Sequence, residues 1–190
     1  MTVESSRASN AVAEIVEQRR GEFVISTDPA RLDLDVIHNF LTNCYWARGI
    51  PREVVERSNA QSLCFGVYDD GDASPCLAKE ARHGVPKHGA PKHRAPMHGA
   101  PRQVGFARVI SDFATIAYVG DVFVLESHRG RGLSKWLMEC IAQHPALQNL
   151  RRWILTTRDA HGLYAQVGFT PVKFPERYME RHDPNVYERP

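Results

Sequence analysis

The chain has 190 residues, 43% of them hydrophobic and 24% charged, with 24 Lys and Arg against 22 Asp and Glu for a formal net charge of +2. These proportions suit a soluble globular protein of one domain, long enough to bury a core without disulfides or a structural metal. No apolar run reaches the ~18 residues that a membrane helix needs, and the start MTVESSRASNAVAEIVEQRR lacks an apolar signal core, so a spanning protein is excluded and a cytoplasmic one expected.

In chain order, residues 1–21 read as a polar N-terminal extension and Glu22–Thr27 as a first strand. Leu34 to Ala47 sets Leu34, Ile37, His38 and Leu41 on one helical stripe, and Pro51 opens a second, short helix through Glu56. Ser62–Tyr68 is a buried strand that runs into the turn Asp69-Asp70-Gly71, and Gln103–Ile110 is the next strand. Ile116–Leu125 follows, then a glycine-rich turn at His128–Gly132. A helix over Leu133–His144 carries Leu133, Trp136, Leu137, Cys140 and Ile141 on one face. Trp153–Thr157 is expected as a buried strand, His161–Val167 as a short helix and Phe169–Phe174 as a last strand, before a tail over 175–190. Helices interleaved with strands imply an α/β (α+β) domain over 22–174, its mixed sheet covered by helices on both faces.

Between the two middle strands lies a five-residue repeat in four copies, from His83-Gly-Val-Pro-Lys87 to His98-Gly-Ala-Pro-Arg102. A proline every fifth residue forbids a helix or a central strand, so residues 73–102 read as a low-complexity loop that extends a hairpin tip. Residues 73–103 carry a net +5, which leaves −3 for the rest of the chain. Regular histidines could bind transition metals weakly, but the segment has no aromatic residue to stack on bases, and no nucleic-acid partner is expected. Cys44, Cys64, Cys76 and Cys140 are far apart, with no C-x-x-C pair, so they read as free thiols and no metal site is expected.

The strongest chemical signal is the strand–turn–helix from Asp121 to Lys135. Glycines that open a helix aim backbone N–H groups and the helix dipole at one spot, which favours an anion such as a pyrophosphate. Gly130 and Gly132 admit the ligand without a side chain in the way, and Arg129 and Arg131 add positive charge at the rim. A P-loop is excluded, because Lys135 follows Ser134 at the wrong spacing. A dinucleotide fingerprint is excluded too, because Lys135 stands where the third glycine is required.

Arg129-x-x-Gly132-x-Ser134 resembles the pyrophosphate loop, Gln/Arg-x-x-Gly-x-Gly/Ala, of the GCN5-related N-acetyltransferase (GNAT) superfamily, with Ser134 departing at the last position. Tyr164-Ala-Gln-Val-Gly168-Phe169 resembles that family's closing Tyr-x-x-x-Gly-Phe. The likeness covers roughly residues 22–174 without the repeat. It implies a mixed sheet whose middle strands splay to admit acetyl-CoA, and direct transfer of the acetyl group to a primary amine of a small molecule. The backbone of Val122, Phe123 and Val124 would pair with the pantetheine arm, and the turn Arg129, Gly130, Arg131, Gly132, Leu133, Ser134 and Lys135 would hold the pyrophosphate. Tyr164 would protonate the leaving thiolate, the bland alternative being a helix tyrosine packed on the sheet. Asp121 is the candidate base, the alternative being a carboxylate bonded to backbone amides; Asp112 is a weaker candidate. Tyr45 and Trp46 could line the amine pocket or simply pack a helix, and Arg48 could clamp an acceptor carboxylate. Cys140 reads as core, and His161 as structural.

Two rival functions share the scaffold: an acyl-CoA-binding sensor whose repeat engages a partner, and a protein-lysine acetyltransferase. Homodimers occur in the family, but nothing in the sequence marks an interface. Deleting residues 73–102 is expected to leave the melting transition and acetyl-CoA binding in place. Thermal melts of the shortened chain, with and without ligand, check this, and loss of either would place the repeat inside the domain.

Overall fold

The computed structural model describes residues 14–71 and 101–187; the repeat lies outside them except for Pro101 and Arg102. Six strands form one sheet in sequence order: β1 (Glu17–Arg20), β2 (Phe23–Ser26), β3 (Leu63–Asp69), β4 (Arg102–Ser111), β5 (Ile116–Val124) and β6 (Arg152–Ile154). The first five pair antiparallel, and β6 runs parallel to β5. Helices α1 (Leu34–Asn43) and α2 (Arg52–Ala60) connect β2 to β3, α3 (Leu133–Gln143) precedes β6, and α4 (His161–Ala165) follows it.

Alternation along the strands feeds two apolar layers. One face packs Phe65, Val67, Val104, Ala107, Val109 and Val119 against Leu133, Trp136, Leu137, Cys140 and Ile141, the stripe expected of α3, with Met138 added. The other packs Cys64, Phe106 and Phe123 against Ile37, Leu41 and Val55 of α1 and α2. Asp33 caps α1 by accepting from the amides of Asp35 (3.0 Å) and Val36 (3.1 Å). Buried Gln103 fixes the same cap to the sheet: its Oε1 accepts the Asp33 amide at 2.7 Å, while its Nε2 donates to the Gly105 carbonyl at 3.2 Å.

Several expectations change. Helix α2 runs to Ala60, four residues past Glu56, and α4 stops at Ala165, two short of Val167. Residues 17–20 form a strand that turns through Gly21 (φ 59°) into β2, so the stretch read as an extension supplies one edge of the sheet. Helix α1 stops at Asn43, four residues early, where the Cys44 amide closes on the Leu41 carbonyl. Strand β6 keeps only Arg152–Ile154, because the chain leaves β5 there. Residues 169–174 form no strand. Pro171 lacks an N–H for a ladder, and Val172 and Phe174 stay 48% and 40% exposed instead of facing a core.

The ladder between β3 and β4 runs from Leu63↔Val109 to Asp69↔Arg102. The turn between β4 and β5 is built on Asp112. One oxygen accepts the amides of Ala114, Thr115 and Ile116 at 2.8–3.1 Å, and the other accepts the Thr115 hydroxyl at 2.6 Å. The Thr115 hydroxyl and these amides hold the Asp112 carboxyl far below the ordinary carboxylate range. Asp112 is thus consumed by its turn and leaves the list of candidate bases. A carboxylate lowered by folding stabilises the native state above its unfolded pKa, and the contribution fades as pH falls toward the folded value. The Asp112→Asn variant is therefore expected to melt below the parent at pH 7, with the gap closing only below about pH 4; paired melts across that range check it.

Candidate functional site

Strand β5 pairs with β6 only through Ile116↔Arg152, Ala117↔Trp153 and Tyr118↔Ile154. From Val119 onward its edge on that side faces no strand, so the sheet opens as a wedge. The Tyr118 hydroxyl and Thr156 Oγ1 meet at 3.0 Å just past the last rung. Within the open part the register with β4 shifts between Phe106 and Arg108, opposite Gly120–Phe123, so β5 carries one extra residue. This is a β-bulge, and Asp121 stands in it with φ 55°, a left-handed conformation that costs a non-glycine residue on the order of 1 kcal/mol.

Side chains hold the bulge. Asp121 Oδ2 accepts from Arg108 Nε at 2.8 Å, and Oδ1 accepts from Trp46 Nε1 at 3.3 Å. Arg108 also donates to Ser62 Oγ at 3.3 Å. The pair is largely withdrawn from water, with side chains 17% and 13% exposed, so each charge depends on the other. Trp46 is positioned in turn by the α1–α2 connection. It packs on Phe40 and edge-on to Tyr45, while Phe40 stacks on Phe123 at 3.9 Å between ring centres.

Beyond β5, Gly130 (φ 77°) and Gly132 (φ 75°) turn the chain into α3. Both conformations suit glycine, and open space stands where a side chain would project. Gly132 caps α3 without a side chain, and the first bond into the helix is Trp136 N–H to the Gly132 carbonyl at 3.1 Å. The amides of Leu133, Ser134 and Lys135 therefore have no partner among the described residues, which is the state an anion requires. Arg129 turns inward, donating from Nε to the Val124 carbonyl at 3.3 Å. Arg131 lies 3.8 Å from Glu22, and Lys135 lies 4.0 Å from Glu139. Both are half-exposed surface pairs that a stronger anion can displace cheaply.

Tyr164 is 9% exposed and packs edge-on against Phe169, and its hydroxyl makes no hydrogen bond among the described residues. Burial, with smaller contributions from Tyr45, Tyr118 and Asp159, pushes its hydroxyl pKa up. Tyr45 and Trp46 are 50% and 43% exposed, so neither is a plain core aromatic. Arg48 is exposed, with no hydrogen bond or ion pair among the described residues, whereas Arg158 stacks 3.8 Å over the Tyr45 ring. Burial raises the thiols of Cys64 and Cys140 to about 12 and about 11, and Cys140 Sγ donates to Gln18 Oε1 at 3.1 Å.

A cavity of about 400 Å³ lies elsewhere, between α3, β6 and the chain after α4, lined by Met138, Leu147, Leu150, Trp153, Val167 and Phe169 among others. No helix among the described residues is long and apolar enough to cross a membrane.

The wedge, the bulge and the uncapped helix follow one another along the chain, and comparison with known proteins gives that arrangement its family. The GNAT acetyltransferase domain model matches residues 98–171. A crystal structure of a "putative acetyltransferase belonging to the gnat family" from Xanthomonas campestris pv. campestris is 45% identical. It covers 90% of this chain and 100% of its own, with a TM-score of 0.71. The chain belongs to the GNAT family. A curated relative from Gibberella zeae, "Putative acetyltransferase FG08082", is 29% identical over 152 residues, 77% of this chain and 78% of its own. A GNAT acetyltransferase from Elizabethkingia anophelis with acetyl-CoA bound is 10% identical and shares the fold, at a TM-score of 0.50 over 85% of this chain and 88% of its own.

Arg108, Tyr118, Thr156 and Arg158 were not among the residues expected at a GNAT site. Only Arg108 left a trace in the sequence, as a lone charge within the apolar run Val104–Ile110. Replacing Arg108 with Met is expected to cost about 1–3 kcal/mol, since it strands Asp121 in a half-dry setting. Asp121→Asn, which keeps an acceptor for Trp46, should cost less. Urea titrations of both variants check the order.

Proposed function

We propose that this GNAT protein is an acetyl-CoA-dependent N-acetyltransferase acting on a primary amine of a small molecule. The observation that carries the reading is the succession along the chain of the open β5 edge, the Asp121 bulge within it and the free amides at the start of α3. An extended, hydrogen-bonding arm that ends in a pyrophosphate matches all three, and the open space at Gly130 and Gly132 lets it approach. Val122, Phe123 and Val124 would bond the arm as an added strand would. The turn from Arg129 to Lys135 would hold the pyrophosphate, with Arg131 and Lys135 released from their acids.

Acetyl-CoA supplies an acetyl group already activated as a thioester. Tyr164, kept protonated by burial, gives its proton to the departing sulfur. Asp121 has one acceptor bond on each oxygen, so lone pairs remain to orient the incoming amine and receive its proton, directly or through a water. Trp46 and Tyr45 wall the approach. Two aromatic rings and the Arg108-paired carboxylate of Asp121 at the mouth suit a small amine.

Saturating acetyl-CoA near 100 times Kd should stabilise the protein by about 2.7 kcal/mol, a rise of roughly 5–10 °C in Tm. Tyr164→Phe should keep that shift and lose about 10²–10³-fold in kcat, measured by CoA release with an amine panel. A protein that shows the shift but acetylates nothing would be a sensor, and the transferase reading would fall.

A further inference from the structure

We infer that the acceptor is a monoamine with an apolar body, aromatic or branched aliphatic, lying on the uncovered sheet face beside Asp121; this deepens the N-acetyltransferase reading and rests on it. Alternation along β4 puts Phe106, Arg108 and Ile110 on one face. Helices α1 and α2 cover the first of these completely, but Ile110 is 44% exposed. On β5 the rungs Ile110↔Tyr118 and Arg108↔Gly120 continue the same face, and Ile116 beyond them is 38% exposed. Two isoleucines on a face that is core elsewhere form a ledge leading to Asp121. Gly120 keeps the ledge flat, because a Cβ there would stand 3.3 Å from the Tyr118 ring. The half-exposed rings of Tyr45 and Trp46 flank it.

Charge decides between apolar and polycationic occupants. Asp121 is matched by Arg108 at 2.8 Å, and Asp159 by Arg158 at 3.6 Å. Asp112, at the far end of the ledge, spends both oxygens on its own turn. One ammonium can reach Asp121, but a second, several bonds away, meets arginines and isoleucines and no unmatched carboxylate among these residues. Desolvating that second charge would oppose binding, whereas apolar carbon on the ledge favours it.

The test uses the full chain, acetyl-CoA and a panel read by CoA release: phenethylamine, tyramine and isoamylamine against putrescine, cadaverine and ethylamine. The apolar monoamines are expected to exceed the diamines by tenfold or more in kcat/KM. Ile110→Thr, at an exposed strand position and keeping β-branching, should raise KM for phenethylamine about tenfold, while Ile116→Thr, about 16 Å of strand from Asp121 and beyond the amine's reach, should not. Both variants should leave KM for acetyl-CoA and for ethylamine unchanged. Equal or better use of diamines, or a phenethylamine KM that Ile110→Thr does not move, overturns the inference and leaves the transferase reading standing. Acetyl-CoA binding without turnover of any amine sinks that reading itself, and the inference with it.

Discussion

A strand buried in a sheet has its N–H and C=O groups satisfied on both sides, and β5 meets that condition only as far as Tyr118. From there the backbone groups facing β6 have no strand, yet both arms of the wedge stay packed on their helices. The parting is thus an opening built into the packed sheet, and it offers strand-like pairing to an extended ligand. The geometry of the bulge and the placement of α3 both follow from where β5 loses its neighbour.

The bulge needs separate support. Asp121 sits in a backbone region that side chains disfavour, and the chain tolerates this because its carboxylate is claimed twice, by a guanidinium across the ladder and by an indole from the α1–α2 connection. Ring stacking of Phe40 on Phe123 then ties that connection to the strand at the same level. The strain, the ion pair and the aromatic stack are one coupled unit, and changes within it should not add independently.

What could be read from the sequence follows the range of the interactions. The stripe on α3 and the turn Arg129–Ser134 were legible because periodicity and glycine chemistry act within a few residues. Tyr164 stood out in the sequence through its spacing to Gly168-Phe169, and the fold packs it against Phe169. The Arg108–Asp121–Trp46 network was not, since its members lie on three elements and meet only through the register of β4 with β5. Arg48, expected to clamp an acceptor carboxylate, stands exposed, while Arg158, which the sequence did not single out, stacks over Tyr45. The strand expected at 169–174 rested on apolar composition, which Pro171 overrules by withholding a donor.

An unpaired strand edge is also a hazard, because it can recruit an edge from another molecule and start a fibril. Here the open stretch of β5 lies within the wedge, between two arms that are each packed on their helices. The outer edge at β1 is guarded differently. Its Glu17, Arg19 and Arg20 are each tied to a charge elsewhere, on Arg31, Asp70 and Glu139, so the edge presents salt and not bare backbone. The fold thus carries two strand edges of different kinds, one fenced by ion pairs and one left open within the wedge.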